Sequence, residues 1–174
     1  MAGSSVINVR TIKPAKIRSQ AMIDAIEAIA DDVLNRMVDD FRATTETWEH
    51  EVKFEYALSM KPSVLISVHT LDEIFEYVNE GTKPHTIRPK GKGYPLRFQW
   101  GGKGSYTPKT KPKVIGSRPG GPSGPEVRMA VVHHPGTKAR EFDKVIQKKW
   151  TKPFKAAMQK ALDDAARASG HGIP

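Results

Sequence analysis

The segment "AMIDAIEAIADDVLNRMVDDF" (residues 21–41) carries the most regular hydrophobic pattern in this sequence. Its apolar side chains recur at the helical repeat, which places them in one stripe along an α-helix. Acidic side chains fill most of the other positions and indicate a solvated opposite face. The pattern predicts a helix over residues 16–45, and the side chains expected in its apolar stripe are Ile23, Ile26, Ala30, Val33, Leu34, Met37, Val38 and Phe41.

The segments that follow this helix predict a hairpin and a short helix. Val52, Phe54 and Tyr56 alternate with polar residues, as on a half-buried strand. The run "SVLISVHT" (63–70) predicts a second strand, and "MKPS" (60–63) between the two predicts a hairpin turn. In "LDEIFEYVNEGT" (71–82) the apolar residues have helical spacing, and Gly81 occupies the position of a C-terminal cap.

The C-terminal part of the chain predicts a strand, "VRMAVVHH" (127–134), and a second long helix over residues 138–168. Pro153 falls inside this helix, where it removes one backbone hydrogen bond. The expected class is α+β, with a small, mostly antiparallel sheet packed by a long N-terminal and a long C-terminal helix. The apolar stripe of the C-terminal helix consists of Phe142, Val145, Ile146, Trp150, Phe154, Ala157, Met158, Ala161, Leu162 and Ala165.

Residues 81–125, called the insert below, separate these two parts and differ from them in composition. The insert holds ten of the 28 Lys and Arg residues, none of the 19 Asp and Glu residues, ten of the 14 Gly and eight of the 13 Pro. The whole net charge of +9 therefore resides in the insert. A near-neutral protein with one cationic segment is expected to meet a polyanion or an acidic protein surface, although a solvated loop is the alternative.

The insert itself offers few elements of regular structure. "YPLRFQW" (94–100) predicts a strand with Leu96, Phe98 and Trp100 on one side, and "KVIGS" (113–117) is its candidate partner. "GGKGSYTPKTKP" (101–112) and "RPGGPSGP" (118–125) are expected to form no ladders, because Gly and Pro weaken or block them. The chain is thus interpreted as one domain, residues 1–174. It comprises an N-terminal arm (1–15), a helix, hairpin and short helix (16–80), the insert (81–125), and a strand and C-terminal helix (126–168).

No motif of a catalytic, metal or cofactor site occurs. The sequence has no Cys, and the adjacent His133 and His134 would point to opposite faces of a strand, with the other histidines scattered. "GGKGS" lacks the frame of a phosphate-binding loop, and no GxSxG is present. A metal-dependent nuclease is a third interpretation, but the acidic side chains of the first helix lie in a different element from the basic segment. We predict no catalytic residues, no metal and no cofactor.

Neither a membrane span nor a secretory signal is expected. No apolar run reaches the length of about 18 residues that a spanning helix needs. The N-terminal segment "MAGSSVINVRTIKPAK" (1–16) lacks a continuous apolar stretch. The prediction is a protein made in a cytoplasm, with no membrane partner.

The insert also interleaves aromatic side chains, namely Tyr94, Phe98, Trp100 and Tyr106, with basic ones. Rings that stack on bases and cations that meet phosphates are typical of proteins that bind single-stranded nucleic acid. A stand-alone nucleic-acid-binding protein is therefore the alternative function. Because Phe98 and Trp100 share a side with Leu96, packing competes with stacking as their role. Sequence-independent contact with DNA phosphates needs only placed Lys and Arg.

Three phrases in the same order carry a family resemblance: "EYVNEGTKPHTIRPK" (76–90), "LRFQW" (96–100) and "VVHHPGTKAREFDKVI" (131–146). Over residues 17–166 the sequence resembles the minor tail-component family of long-tailed phages, the gp-ten-like tail components grouped with tail-completion and head–tail joining proteins. The long basic link between the "GT" and "HPGT" motifs departs from the short link of many relatives. The family has no catalytic residues to carry over.

The resemblance implies a virion structural protein, made in the host cytoplasm and located in the tail or neck. By analogy with tail rings we expect a homo-oligomer, a hexameric ring, at the head–tail junction or the head-proximal end of the tail. Its expected partners are other neck or tail proteins, with non-specific contact to DNA in the channel. The residues expected to contact subunits or DNA are Lys83, Arg88, Lys90, Lys92, Arg97, Lys103, Lys109, Lys111, Lys113 and Arg118.

The two motifs of the resemblance are expected to shape the fold. Gly81, followed by Thr82, would take a positive φ and end the short helix. Pro135 and Gly136 predict a tight turn, and the Thr137 hydroxyl is expected to cap the C-terminal helix. The carboxylate of Glu141 would lie near the first turn of that helix, where it suits the helix dipole.

Overall fold

The computed structural model of the chain describes residues 4–9, 20–91 and 93–168. The α+β class is confirmed, and all ladders between the described strands are antiparallel. The described helices are α1 (Gln20–Thr45), α2 (Glu73–Glu80) and α3 (Phe142–Ala168). The described strands are β1 (Ser4–Val9), β2 (Glu55–Ser59), β3 (Val64–His69), β4 (His85–Ile87), β5 (Leu96–Gln99), β6 (Tyr106–Thr107), β7 (Gly121–Pro122), β8 (Glu126–Met129) and β9 (Val132–His134).

One sheet of three strands, in the order β1-β3-β2, supports the fold. The predicted hairpin of β2 and β3 is confirmed, although β2 begins only at Glu55 and Tyr56 faces solvent. Strand β1 lies in the segment interpreted as an N-terminal arm and pairs with β3 along its whole length, a pairing that the sequence pattern does not predict. A pairing between strands about 60 positions apart leaves no local pattern to detect. The predicted helix start at residue 16 lies outside the described residues.

The helices α1 and α3 pack on each other and on this sheet. The predicted stripe of α1 is buried except at Ile23, which is half-buried. Met22 is buried in its place, because it lies four residues before Ile26 and so continues the row of buried side chains. Helix α3 begins at Phe142, four residues later than predicted, and runs through Pro153. Its buried side chains are Phe142, Ile146, Phe154, Met158, Ala161 and Ala166.

An aromatic cluster joins α1, α2 and α3. The ring of Phe75, in α2, lies at its centre, with centroid distances of 5.3 Å to Phe54, 5.9 Å to Phe142, 6.2 Å to Phe41 and 6.3 Å to Trp48. Burial of such a ring stabilises a fold by roughly 1.5–3 kcal/mol, and each well-placed ring pair adds about 0.5–1.5 kcal/mol. The short helix α2 is therefore held by packing and not by its own helical propensity.

The start of α3 is capped from α2 by Asn79, which is buried. The Asn79 carbonyl accepts hydrogen bonds from the backbone amides of Arg140 and Glu141, and its side-chain oxygen accepts one from the amide of Asp143 at 3.3 Å. Because the first amides of a helix have no partner within it, this contact fixes where α3 begins. The predicted cap by Thr137 is wrong, since Thr137 lies five residues before the helix.

We expect Asn79→Ala to lower the free energy of unfolding by about 1–2 kcal/mol, the usual cost of a lost helix cap at a buried position. Urea unfolding followed by circular dichroism measures this change. The matched control is Asn35→Ala, because Asn35 is exposed on α1 and should change stability by no more than about 0.5 kcal/mol. Equal effects of the two substitutions would contradict the capping role.

Candidate functional site

The chain leaves the body of the fold at Thr82 and returns to it at Thr137. The two residues pair backbone to backbone: the amide of Thr82 donates to the Thr137 carbonyl at 2.9 Å, and the amide of Thr137 donates to the Thr82 carbonyl at 3.1 Å. The Arg140 amide, three residues on, donates to the carbonyls of Val78 and Asn79. The base of the insert is thus fixed against the C-terminal turn of α2.

Both glycines of the resemblance motifs serve this close backbone contact. Gly81 ends α2 with a φ of 78°, as predicted, and a Cβ there would lie 2.5 Å from the Thr137 carbonyl oxygen. Gly136 has a φ of 87°, and a Cβ on it would collide with the carbonyl of Thr82. The predicted tight turn at Pro135 and Gly136 is wrong, because the pairing keeps one register from β9 to Thr137.

From this base the insert and the segment after it form one irregular two-stranded structure, called the ribbon. Outgoing strands β4, β5 and β6 pair in turn with returning strands β9, β8 and β7. The predicted pairing of β5 with residues 113–117 is therefore wrong, and residues 127–134 form parts of two strands where one was expected. The expectation that residues 101–112 and 118–125 form no ladder also fails, since β6 in the first segment pairs with β7 in the second. The strand partners are set by how the outgoing half of the ribbon pairs with the returning half, and no local sequence pattern shows that pairing.

The end of the ribbon, residues 108–118, folds back onto the body and is called the tip. The Ser117 hydroxyl donates to the Ala43 carbonyl at 2.9 Å and accepts from the Thr47 amide at 3.2 Å. The Ala43 carbonyl belongs to the last turn of α1, where carbonyls lack helical partners. The Lys113 amide donates to the Arg140 carbonyl at 2.8 Å. The tip is therefore docked next to the base of the ribbon.

The structure divides the ten predicted contact cations into two groups, apart from Lys92, which lies outside the described residues. Three stabilise the docked tip: Lys109 pairs with Glu49 at 3.3 Å, Lys113 pairs with Glu141 at 3.5 Å, and Arg118 donates to a backbone carbonyl. The others are exposed and form no ion pair with any described residue, and they are Lys83, Arg88, Lys90, Arg97, Lys103 and Lys111. The role of these cations as contact residues stays a prediction.

Glu141 links the docked tip to α3. Its carboxylate accepts a hydrogen bond from Lys144 at 2.8 Å, and this bond, with the nearby charges of Lys144 and Lys113, holds the pKa of Glu141 below its usual range. The same carboxylate raises the pKa of the Lys144 ammonium. The expectation that Glu141 lies at the start of α3 is confirmed, since it immediately precedes Phe142.

The middle of the ribbon, β5 and β8, has two unlike faces. The cross-strand pairs Leu96–Met129 and Phe98–Val127 form an apolar face, called the ribbon face. Leu96, Phe98 and Val127 are half-buried and Met129 is 37% exposed, and none of the four belongs to the buried core. Trp100 follows β5, its amide donates to the Pro125 carbonyl at 2.9 Å and its side chain is 42% exposed, and the packing of its ring with Leu96 and Phe98 stays a prediction. An apolar face on two strands alone is left open to a partner.

On the opposite side of these strands, Arg97 lies directly across from Arg128. Like charges in this position destabilise a ladder. Arg128 has a distant partner in Glu126 at 3.8 Å, whereas Arg97 has no ion pair within the described chain. An anion that bridged the two guanidinium groups would relieve their repulsion.

Helix α2 presents a second exposed apolar surface, called the α2 ridge: Leu71, just before the helix, Ile74 and Tyr77 are 77%, 52% and 54% exposed. The sequence pattern grouped Leu71 and Ile74 with Phe75 and Val78 on one stripe. The structure separates them, because Phe75 turns into the aromatic cluster. Glutamates accompany the ridge, since α2 contains Glu73, Glu76 and Glu80 and no basic residue.

Two histidines that seemed scattered in the sequence come together in the ribbon. His85 and His134 are cross-strand partners with ring centroids 5.0 Å apart. The Gly136 amide donates to Nδ1 of His134 at 3.1 Å. Across residues 4–9, 20–91 and 93–168, no three His, Asp or Glu side chains are grouped so that they could hold a metal ion.

Comparisons with known protein families, with curated proteins and with solved structures found no match to this chain. Among the helices described, none combines the length and the apolar character needed to cross a membrane. The features that suggest a function are two apolar surfaces, the ribbon face and the α2 ridge, and the cations of the ribbon that form no ion pair with any described residue. Such surfaces suit contact with another macromolecule.

We expect Ser117→Ala to loosen the tip without unfolding the body, because it removes both hydrogen bonds of that hydroxyl. At about 1 kcal/mol for each lost bond, the amides of Lys113 and Arg118 should exchange with deuterium roughly 5- to 30-fold faster. Hydrogen-exchange mass spectrometry measures these rates. Ser123→Ala is the control, since that hydroxyl bonds within the ribbon to the Ser105 carbonyl and should leave the tip unchanged. Unaltered exchange in Ser117→Ala would show that other contacts dock the tip.

Proposed function

We propose that this protein is a non-enzymatic structural component of a tailed-phage virion. In this proposal it forms a ring of subunits at the neck or at the head-proximal end of the tail, as a tail-completion or joining protein. The observation that carries the proposal is the ribbon face, an apolar surface built on two strands away from the core. The assignment to a phage tail rests on the resemblance carried by the order of the "GT" and "HPGT" motifs.

A two-stranded ribbon is at best marginally stable in water unless another layer covers its apolar face. The ribbon in this chain is anchored at its base and at its tip, but none of its four middle apolar side chains belongs to the core formed by the described residues. A neighbouring subunit would supply the layer. The residue types there also suit an interface, because aromatic, Met and Arg side chains are enriched where proteins meet.

The chemistry of the two motifs agrees with a structural role. Gly81 and Gly136 serve the backbone pairing at the base of the ribbon, and Thr82 and Thr137 supply its hydrogen bonds. The free cations of the ribbon would then steer it toward an acidic protein surface or toward DNA in the channel.

We expect the purified full-length chain to assemble into rings, visible by negative-stain electron microscopy and by light scattering after size exclusion. Phe98→Asp should raise the concentration needed for assembly at least 10-fold, because it buries a charge in the contact. Val114→Asp is the matched control, since Val114 is an exposed apolar residue of the tip. An unsubstituted chain that stays monomeric at its highest soluble concentration would contradict the ring.

A second candidate function, stand-alone nucleic-acid binding, is favoured by one observation, the exposed and directly opposed Arg97 and Arg128. For the structural protein we expect weak binding to single- and double-stranded oligonucleotides, without sequence preference. Fluorescence anisotropy over a salt series measures it. Micromolar or tighter binding by the monomer, with a salt dependence that Arg97→Ala reduces, would favour the second function instead. Gln99→Ala, an uncharged exposed position two residues along the same strand, controls for a general change in the ribbon.

A further inference from the structure

We infer that the ribbon face of one copy of this chain binds the α2 ridge of the next copy, in a head-to-tail contact. This inference rests on the proposed self-assembly and names the two surfaces that make it. The ribbon face consists of Leu96, Phe98, Val127 and Met129, and the α2 ridge of Leu71, Ile74 and Tyr77.

The α2 ridge is an unusual feature for a solvated helix. Single exposed apolar side chains are common on protein surfaces, but a group of three is a candidate contact site. Ile74 and Tyr77 are three residues apart on α2, so they are neighbours on the side of the helix away from Phe75, and Leu71 is exposed just before the N-cap residue Asp72. Phe75 and Asn79 are buried on the inner side of α2, whereas Ile74 and Tyr77 on its outer side are 52% and 54% exposed.

The two surfaces match in architecture and size. A helix row packed on an apolar sheet face is the layer arrangement that the body itself uses for α1 and α3. From Ile74 to Tyr77 the helical part of the ridge rises about 4.5 Å, at 1.5 Å per residue, and Leu71 extends the ridge before the helix. From Leu96 to Phe98 the ribbon face extends about 7 Å, and its second strand adds about 5 Å of width. One α2 ridge therefore covers about one ribbon face.

The charges around the two surfaces are opposite. Helix α2 carries three glutamates and no basic residue, whereas Arg88, Lys90 and Lys103 of the ribbon have no ion pair with any described residue. A contact between two ribbons, or between two α2 helices, would bring like charges together and is disfavoured. A ribbon on an α2 helix is favoured, and such a heterologous contact forms a closed ring when its rotation closes.

The occupant of each surface is another copy, because the same chain carries both surfaces with opposite charges: the ridge side chains and Met129 are exposed, and Leu96, Phe98 and Val127 are half-buried. The Thr82–Thr137 pairing fixes the ribbon at its base, and Ser117 holds its tip on α1. The ribbon is thus held in place while its apolar face stays open. Docking of this face on the neighbour needs no rearrangement of the body.

The chain has no cysteine, so introduced thiols can map the contact directly. Ile74→Cys is mixed with a differently tagged Met129→Cys at the concentration where the unsubstituted chain assembles, and a short bismaleimide is added. We expect a heterodimeric cross-link at least five-fold stronger than the homodimer of either variant alone. The double variant should give a ladder of multimers. Ile74→Cys with Val114→Cys is the control pair, since Val114 is also exposed but lies in the tip.

The outcomes separate this inference from the proposed function. If the unsubstituted chain assembles but Ile74→Cys links to Met129→Cys no better than to Val114→Cys, the inferred contact is wrong and the ring survives. If either single variant links to itself as strongly as the mixture, the contact is isologous and the head-to-tail arrangement is wrong. If no assembly and no cross-link occur, both proposals fail. Melting curves of each variant, expected to match the unsubstituted chain, establish that the exposed substitutions leave the fold intact.

Discussion

The ring of Phe75 holds together parts of this molecule that are far apart in sequence. It contacts rings from α1, from the segment before β2 and from the first residue of α3. One turn later on the same helix, Asn79 receives the amides that start α3. Because Gly81 and the Thr82–Thr137 pairing follow at once, the position of Phe75 also fixes where the ribbon leaves the body. An eight-residue helix, too short to be stable alone, thereby orients both α3 and the insert.

Each of the two surfaces in the inferred contact lies on an element whose two sides differ in character. Helix α2 packs inward through Phe75 and leaves Ile74 and Tyr77 outside. The ribbon places its apolar side chains on one face, and Arg97 and Arg128 on the other. The helical period of 3.6 and the strand period of 2 make such two-sided elements unavoidable. In our proposal the body stabilises one side of α2, and a neighbouring subunit covers the other.

The positive charge of the insert has two distinct uses. Lys109 and Lys113 pair with Glu49 and Glu141 of the body, so part of the charge fixes the tip. Exposed ion pairs of this kind contribute little individually and weaken in salt. The hydrogen bonds of Ser117 therefore matter more to the docked position than the charges do. Other cations, such as Arg88 and Arg97, form no ion pair with any described residue, and in our proposal they meet a partner outside the chain.

The sequence by itself determined α1, α3, the β2–β3 hairpin and α2, because their periodicities are local and read without knowledge of the neighbours. It also located the cationic segment and the glycine that ends α2. The tertiary structure alone decided that β1 pairs with β3, that β5 pairs with β8, that Asn79 starts α3 and that Ser117 docks the tip. These contacts join residues tens of positions apart, and their partners follow from how the ribbon closes and where α1 and α2 end. Every residue except proline has the same backbone donor and acceptor, whatever its side chain. The residue pattern therefore does not show which distant strand or carbonyl a backbone group will pair with.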